Sequence, residues 1–282
     1  MSRAAATTPH GGPSTPPWSR LVLPGPDPVA VRVHEPAAGG ERPAGRLVWA
    51  HGGSWQRGSA AEWHHATAAL AARSGWQVIS VDYRLAPRHR HPAAVRDVLT
   101  ALTWAAEQAV GAPLAVGGDS AGGTLAACAA LAARDRGLPL AAQVLAYPPL
   151  DPSCASPSYH RRPHAFPQAA LLRDAWRLWR GDGEPARDRD GTRLYSTPWE
   201  APSLAGVAPA VLAVGGHDPV RDDVDAYAAR LRGDGVPVRL LHLAGAGHGD
   251  LLRPDSSVLG HLARAVTRLT TPHQLQPAKD LP

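Results

Sequence analysis

Short apolar runs bounded by glycine or proline alternate along this chain with longer stretches in which apolar positions recur every third or fourth residue. Residues 47–50, 77–82, 114–116, 144–147, 210–214 and 238–243 form the short runs, and they read as strands buried on both faces. Residues 21–35 are interrupted by a Pro/Gly/Asp turn and read as an opening hairpin. Helical spacing fills the gaps. Residues 60–73, 93–109 and 122–136 are alanine-rich and amphipathic. Residues 222–231 place Val224, Tyr227 and Leu231 on one face, and 255–269 close the pattern. Strand and helix signals in alternation predict an α/β fold with a mostly parallel central sheet flanked by helices.

Residues 151–202 break the rhythm. Prolines flank one helical stretch, 168–180, which carries Leu171, Leu172, Trp176 and Trp179, and a loop of mixed charge follows. This is too long for an ordinary connection within a sheet. It is expected to be an insertion, a reduced cap over the functional site. Residues 1–20 are rich in Ala, Thr, Pro and Gly, and 271–282 are also poor in apolar residues, so both are expected to be flexible. One domain, 21–270, remains between them.

Composition narrows the function classes. A chain of 282 residues can bury an extensive core without disulfides, and its two cysteines, Cys128 and Cys154, read as unrelated reduced thiols. The net charge is +5, yet Lys279 is the only lysine and the arginines form no stripe with aromatics, so nucleic-acid binding is not expected. No apolar run approaches a membrane span, and the N-terminus lacks the apolar centre of a secretory signal, so the expected compartment is the cytoplasm.

Candidate chemistry follows the ends of the runs. Gly118-Asp119-Ser120-Ala121-Gly122 joins the run at 114–116 to an alanine-rich helix. A Gly-x-Ser-x-Gly string in that context makes a tight turn that projects the serine, with the Ala121 N–H beside it at the helix N-terminus. A serine in a glycine turn can be only a helix cap, but the strand before it and the helix after it favour a nucleophile. His51-Gly52-Gly53-Ser54-Trp55 ends the run at 47–50. A glycine turn there is either a plain structural turn or a source of N–H donors for an oxyanion. The serine turn downstream favours the second reading.

This combination resembles the hormone-sensitive lipase family of α/β hydrolases, the bacterial family IV esterases. That family shares a His-Gly-Gly-Gly motif and a Gly-Asp-Ser-Ala-Gly-Gly turn, matched here at 118–123. It also carries strings like Asp82-Tyr83-Arg84-Leu85-Ala86-Pro87, the Pro-Ala-Ala at 92–94 and Tyr-Pro-x-Leu-Asp at 147–151. The resemblance runs from about residue 21 to 269. It implies the α/β-hydrolase fold, with Ser120 as nucleophile, Asp218 of the Asp-Pro-x-Arg-Asp string as the acid and His248 as the base. It implies an oxyanion hole built from the N–H groups of Gly53, Ser54 and Ala121. Neither metal nor cofactor is implied, and a homodimer is a family expectation. Asp222 and Asp223 read as ordinary acids at a helix N-terminus, and Asp225 as a surface acid. His242 and His261 read as structural, while His64 and His65 are adjacent and cannot share a face as a metal pair.

Departures from the family bear on specificity. Ser54 stands in place of the third glycine, a His-Gly-Gly-x-Trp string also seen in kynurenine formamidases. Arg88 replaces a common Glu, with only a local effect expected. Asp250 replaces the aromatic residue after His-Gly. The N-terminal cap helices usual in relatives are not expected in so short an arm. Trp55, His217 and Asp250 are expected to contact substrate, and Trp176 and Trp179 are either the insertion's own core or pocket lining. The expected function is hydrolysis of small, short-acyl esters through a Ser120 acyl-enzyme. The same triad would serve a tailoring deacetylase, acyltransferase or cyclase of secondary metabolism acting on acetylated small molecules. A catalytically silent ligand-binding hydrolase fold is the reading from another class.

Overall fold

Each apolar run forms a strand, and the strands meet in one sheet. The structure, a computed structural model, describes residues 5–6, 17–36, 42–108, 111–181 and 185–270. The tail at 271–282, and all of 1–16 except Ala5–Ala6, lie outside the described residues. In chain order the elements are β1 (Ala5–Ala6), β2 (Trp18–Leu23), β3 (Val29–His34), β4 (Arg46–Ala50), α1 (His64–Ser74), β5 (Gln77–Asp82), α2 (Ala93–Gln108), β6 (Leu114–Asp119), α3 (Ala121–Asp135), β7 (Ala142–Ala146), α4 (Pro157–Arg161), α5 (Ala169–Arg180), β8 (Ala186–Arg187), β9 (Arg193–Leu194), β10 (Ala210–Gly215), α6 (Arg221–Gly233), β11 (Val238–Leu243) and α7 (Ser257–Thr267). The sheet therefore already includes Ala5–Ala6, within the arm expected to be flexible, and Trp18, three residues before the expected domain start.

Among the described residues the main sheet has the order β1-β2-β3-β5-β4-β6-β7-β10-β11. Its first four strands pair antiparallel, and every pairing from β5 to β11 is parallel. Register aligns the C-terminal ends. Ala50 lies opposite Gly118, Asp119 opposite Ala146, Ala146 opposite Ala213, and Gly215 opposite Leu243. The turns that follow β4, β6, β10 and β11 thus leave along one edge, where open parallel sheets hold their ligands.

Helix α1 packs on α7, and α2 on α3. Residues 121–133 of α3 are all buried, so this helix is not the amphipathic surface helix its spacing suggested. The insertion is the reason: β9 and the 3-10 turn Pro198–Glu200 lie on the face of α3 that would otherwise meet water. Within the insertion, α5 turns Leu172, Ala175, Trp176 and Trp179 inward. Both cysteines are free and buried. Among the described residues no helix is long and apolar enough to cross a membrane.

Asp223 also departs from its sequence reading. Its carboxylate is buried and accepts the N–H groups of Leu150 and Asp151, the Ser156 hydroxyl and the Tyr159 hydroxyl. It fastens the first leg of the insertion to α6, and burial pushes its carboxyl up to about 6.

Candidate active site

Strand β6 runs directly into the serine turn. Ser120 sits at φ 50°, ψ −125°, a conformation that side-chain-bearing residues rarely adopt. The surrounding backbone enforces it. A Cβ at Gly122 would run into the carbonyl oxygens of Ala50 and His51, so only glycine lets α3 start this close to β4.

The turns after β10 and β11 bring the partners. Ser120 Oγ lies 2.8 Å from His248 Nε2, and His248 Nδ1 lies 3.0 and 3.1 Å from the two Asp218 oxygens. The side chains of His248 and Asp218 are 3% and 0% exposed. Because Asp218 can only accept when ionised, the geometry assigns the imidazole proton to Nδ1 and leaves Nε2 as an acceptor facing the serine. Asp218 Oδ1 is held by the Val220 N–H at 3.0 Å. Tyr147 packs its ring 4.8 Å from the imidazole, and its hydroxyl accepts the Leu251 N–H at 3.1 Å, which steadies the histidine turn. The Phe166 ring approaches the same imidazole edge-on at 5.5 Å.

The turn after β4 supplies free donors. Gly53, Ser54 and Trp55 have φ of +113°, 54° and 60°, three positive values in a row. The N–H groups of Gly53 and Ser54 have no acceptor among the described residues, and the Ala121 N–H, first in α3, has no partner in the helix ladder. This turn lies beside Ser120: a Cβ at Gly52 would come within 3.3 Å of Ser120 Cβ.

What braces the turn is mostly remote in sequence. The buried Asp119 carboxylate accepts the Gly52 N–H at 3.2 Å and the indole N–H groups of Trp49 and Trp63 at 3.3 and 2.9 Å. Burial pushes its carboxyl up to about 7 despite those donors. The Tyr83 hydroxyl donates to the His51 carbonyl at 2.8 Å, and its ring stacks on the His51 imidazole at 4.2 Å. Burial lowers the His51 pKa, so that ring stays neutral in its stack. Asp82 accepts the Ala60 N–H, and the Ala86 N–H donates to the Trp55 carbonyl. The Asp82–Pro87 string is thus a scaffold for the donor turn.

Comparison with known proteins identifies the family. Residues 47–252, well over half of the chain, match the family described as the α/β-hydrolase fold. The chain belongs to the α/β-hydrolase family. Its motifs place it with the hormone-sensitive lipase branch. It is 38% identical over 253 residues to the carboxylic ester hydrolase LipN of Mycobacterium tuberculosis, covering 82% of this chain and 63% of LipN. It is 35% identical over 238 residues to an ethyl acetate hydrolase of Pseudomonas putida, covering 82% and 73%. The structure of esterase LipW from Mycobacterium marinum superposes with a TM-score of 0.79 at 33% identity, covering 90% of this chain and 82% of LipW. The chain thus spans less than two thirds of LipN.

Within this α/β hydrolase, two of the three residues expected to meet substrate do other work. The Trp55 side chain is 0% exposed. Its ring stacks on Trp179 at 4.7 Å and lies 4.4 Å from Trp176, so all three tryptophans form the core between the donor turn and the insertion. Asp250 is also buried. Its carboxylate accepts the Ser256 hydroxyl at 2.8 Å and the Val258 N–H at 3.1 Å, which caps α7 rather than facing the serine. His217 is exposed beside Asp218. Sequence reasoning missed Asp119, Tyr83 and Phe166. The first two lay in quoted motifs, but nothing nearby in sequence names their partners. Among the described residues no group of three or more His, Cys, Asp and Glu side chains is placed to hold a metal ion.

Ser54 carries its own prediction. Its φ of 54° costs an L-residue about 1–2 kcal/mol, partly offset in the glycine variant by the larger entropy of its unfolded chain. Ser54→Gly is expected to stabilise the protein by about 0.5 kcal/mol in urea denaturation. A loss of stability would mean that the serine hydroxyl holds the turn.

Proposed function

We propose that this protein hydrolyses small, short-acyl carboxylic esters, with Ser120 as nucleophile, His248 as general base and Asp218 as the orienting acid. One observation carries the reading: the continuous hydrogen-bond path from Ser120 Oγ through His248 to Asp218, with links of 2.8 and 3.0 Å. His248 Nε2 takes the serine proton as Oγ attacks the carbonyl carbon. Asp218 holds Nδ1–H and stabilises the imidazolium. The N–H groups of Gly53, Ser54 and Ala121 receive the oxyanion, each such donor being worth roughly 3–4 kcal/mol in the transition state. His248 then protonates the leaving alcohol. Water, activated by the same histidine, releases the acid from the acyl-enzyme.

Small substrates fit the surroundings. We read the buried, mutually packed rings of Trp55, Trp176 and Trp179 as closing their side of the donor turn to a long acyl chain. Similarity to an ethyl acetate hydrolase supports the same size class. The test is hydrolysis of p-nitrophenyl acetate, butyrate, octanoate and laurate by the wild type and Ser120→Ala. The expected result is kcat/KM highest on the shorter chains, and a loss of about 10⁴-fold or more in the variant. Preference for laurate would refute the size class.

A further inference from the structure

The chain's single phenylalanine stands in an unusual place. Phe166 is 60% exposed, yet its ring meets the imidazole of His248, which is nearly buried, at 5.5 Å and 67°. An exposed apolar residue by itself needs no explanation. This one is held there. The stem leading to it, α4, is fastened by the Ser158 hydroxyl, which donates to the Pro219 carbonyl at 2.6 Å and accepts the Asp222 N–H at 3.2 Å. Asp223 binds the Ser156 and Tyr159 hydroxyls on the same stem. The Ala165 N–H closes a turn onto the Arg162 carbonyl at 3.1 Å, and Pro167 on the far side is buried. The ring therefore sits on a hydrogen-bonded support docked against the loop that carries Asp218.

The reaction gives that position a meaning. A leaving oxygen must come within hydrogen-bond reach of His248 Nε2 to receive its proton. Ser120 Oγ lies at that nitrogen, and the buried Tyr147 ring, its hydroxyl engaged by Leu251, covers another side of the imidazole. Phe166 supplies exposed apolar surface beside the imidazole. We propose that Phe166 is the platform for the leaving alcohol, and that it selects esters of aromatic or flat apolar alcohols over those of small alkyl alcohols. The inference rests on the triad reading above. A preorganised ring offers offset or edge-on aromatic contact without ordering cost at the moment of binding.

The test uses acetate esters that differ only in the alcohol: ethyl, cyclohexylmethyl and benzyl acetate, with wild type, Phe166→Ala, Phe166→Leu and Ser120→Ala. Phe166→Ala is expected to lower the benzyl-to-ethyl ratio of kcat/KM by about tenfold, with the change carried by KM. Phe166→Leu should restore the cyclohexylmethyl ester more than the benzyl ester. A ratio that does not move, or a loss confined to kcat and equal across the three esters, would overturn the proposal and leave the ring as a support for His248. Turnover that survives in Ser120→Ala would overturn the triad reading, and this inference with it.

Discussion

Asp218→Asn is expected to lower kcat by about four orders of magnitude on short-acyl esters while KM and the circular dichroism spectrum barely change. Both Asp218 oxygens lie within 3.1 Å of His248 Nδ1, so the histidine proton is fixed there. An amide in the same place can turn its NH₂ toward Nδ1. The histidine then accepts at Nδ1 and carries its proton on Nε2, facing Ser120 Oγ with a donor where the reaction needs an acceptor. The loss falls on kcat because it removes proton transfer and imidazolium stabilisation, which matter in the transition state. The side chain is wholly buried and its Oδ1 also accepts the Val220 N–H. Asparagine can keep that bond, so the fold should survive. A fall of tenfold or less would mean that Asp218 does not set the tautomer.

Asp119→Ala is expected to destabilise the protein by about 3–5 kcal/mol and to reduce kcat about 100-fold. Three buried donors would lose their acceptor: the Gly52 N–H and the indoles of Trp49 and Trp63. Gly52 immediately precedes the proposed oxyanion donors, so freeing it loosens their aim. Asp119→Asn keeps an acceptor and should cost much less on both counts. Its use lies in the pH dependence of stability. Burial holds the folded carboxyl near pKa 7, against about 3.9 in the unfolded chain. Between about pH 4 and 7 the unfolded chain has released this proton while the folded one keeps it. The unfolded state binds fewer protons there, so stability falls as pH rises across that window and levels off above it. Urea midpoints of wild type and Asp119→Asn should therefore diverge over that interval, with the wild type losing ground as pH increases. Parallel curves would show that Asp119 is ionised throughout.

How much of this was legible depended on how local the cause was. The run at 77–82 and the string at 118–122 carry their whole signal within a few residues, so β5 and the serine turn could be read directly. The partners of Asp119 lie 56, 67 and 70 residues away, and nothing in the string around it says which indoles it will meet. The burial of α3 was hidden because its cover comes from the insertion at 193–200. Trp55 follows the donor turn in sequence, which suggested substrate contact. Its positive φ belongs to a tight turn whose tryptophan packs against α5. Phe166 belongs to a stretch without periodicity, and only the docking of α4 on α6 brings it to the histidine.

The most direct measurement is the intact mass of the protein, acid-quenched within its first turnovers on p-nitrophenyl acetate, followed by peptide mapping. A Ser120-centred esterase predicts one added acetyl group, located on the peptide that contains Ser120 and missing in Ser120→Ala. Hydrolysis with no adduct on that peptide, and undiminished in Ser120→Ala, would contradict the acyl-enzyme and the triad together.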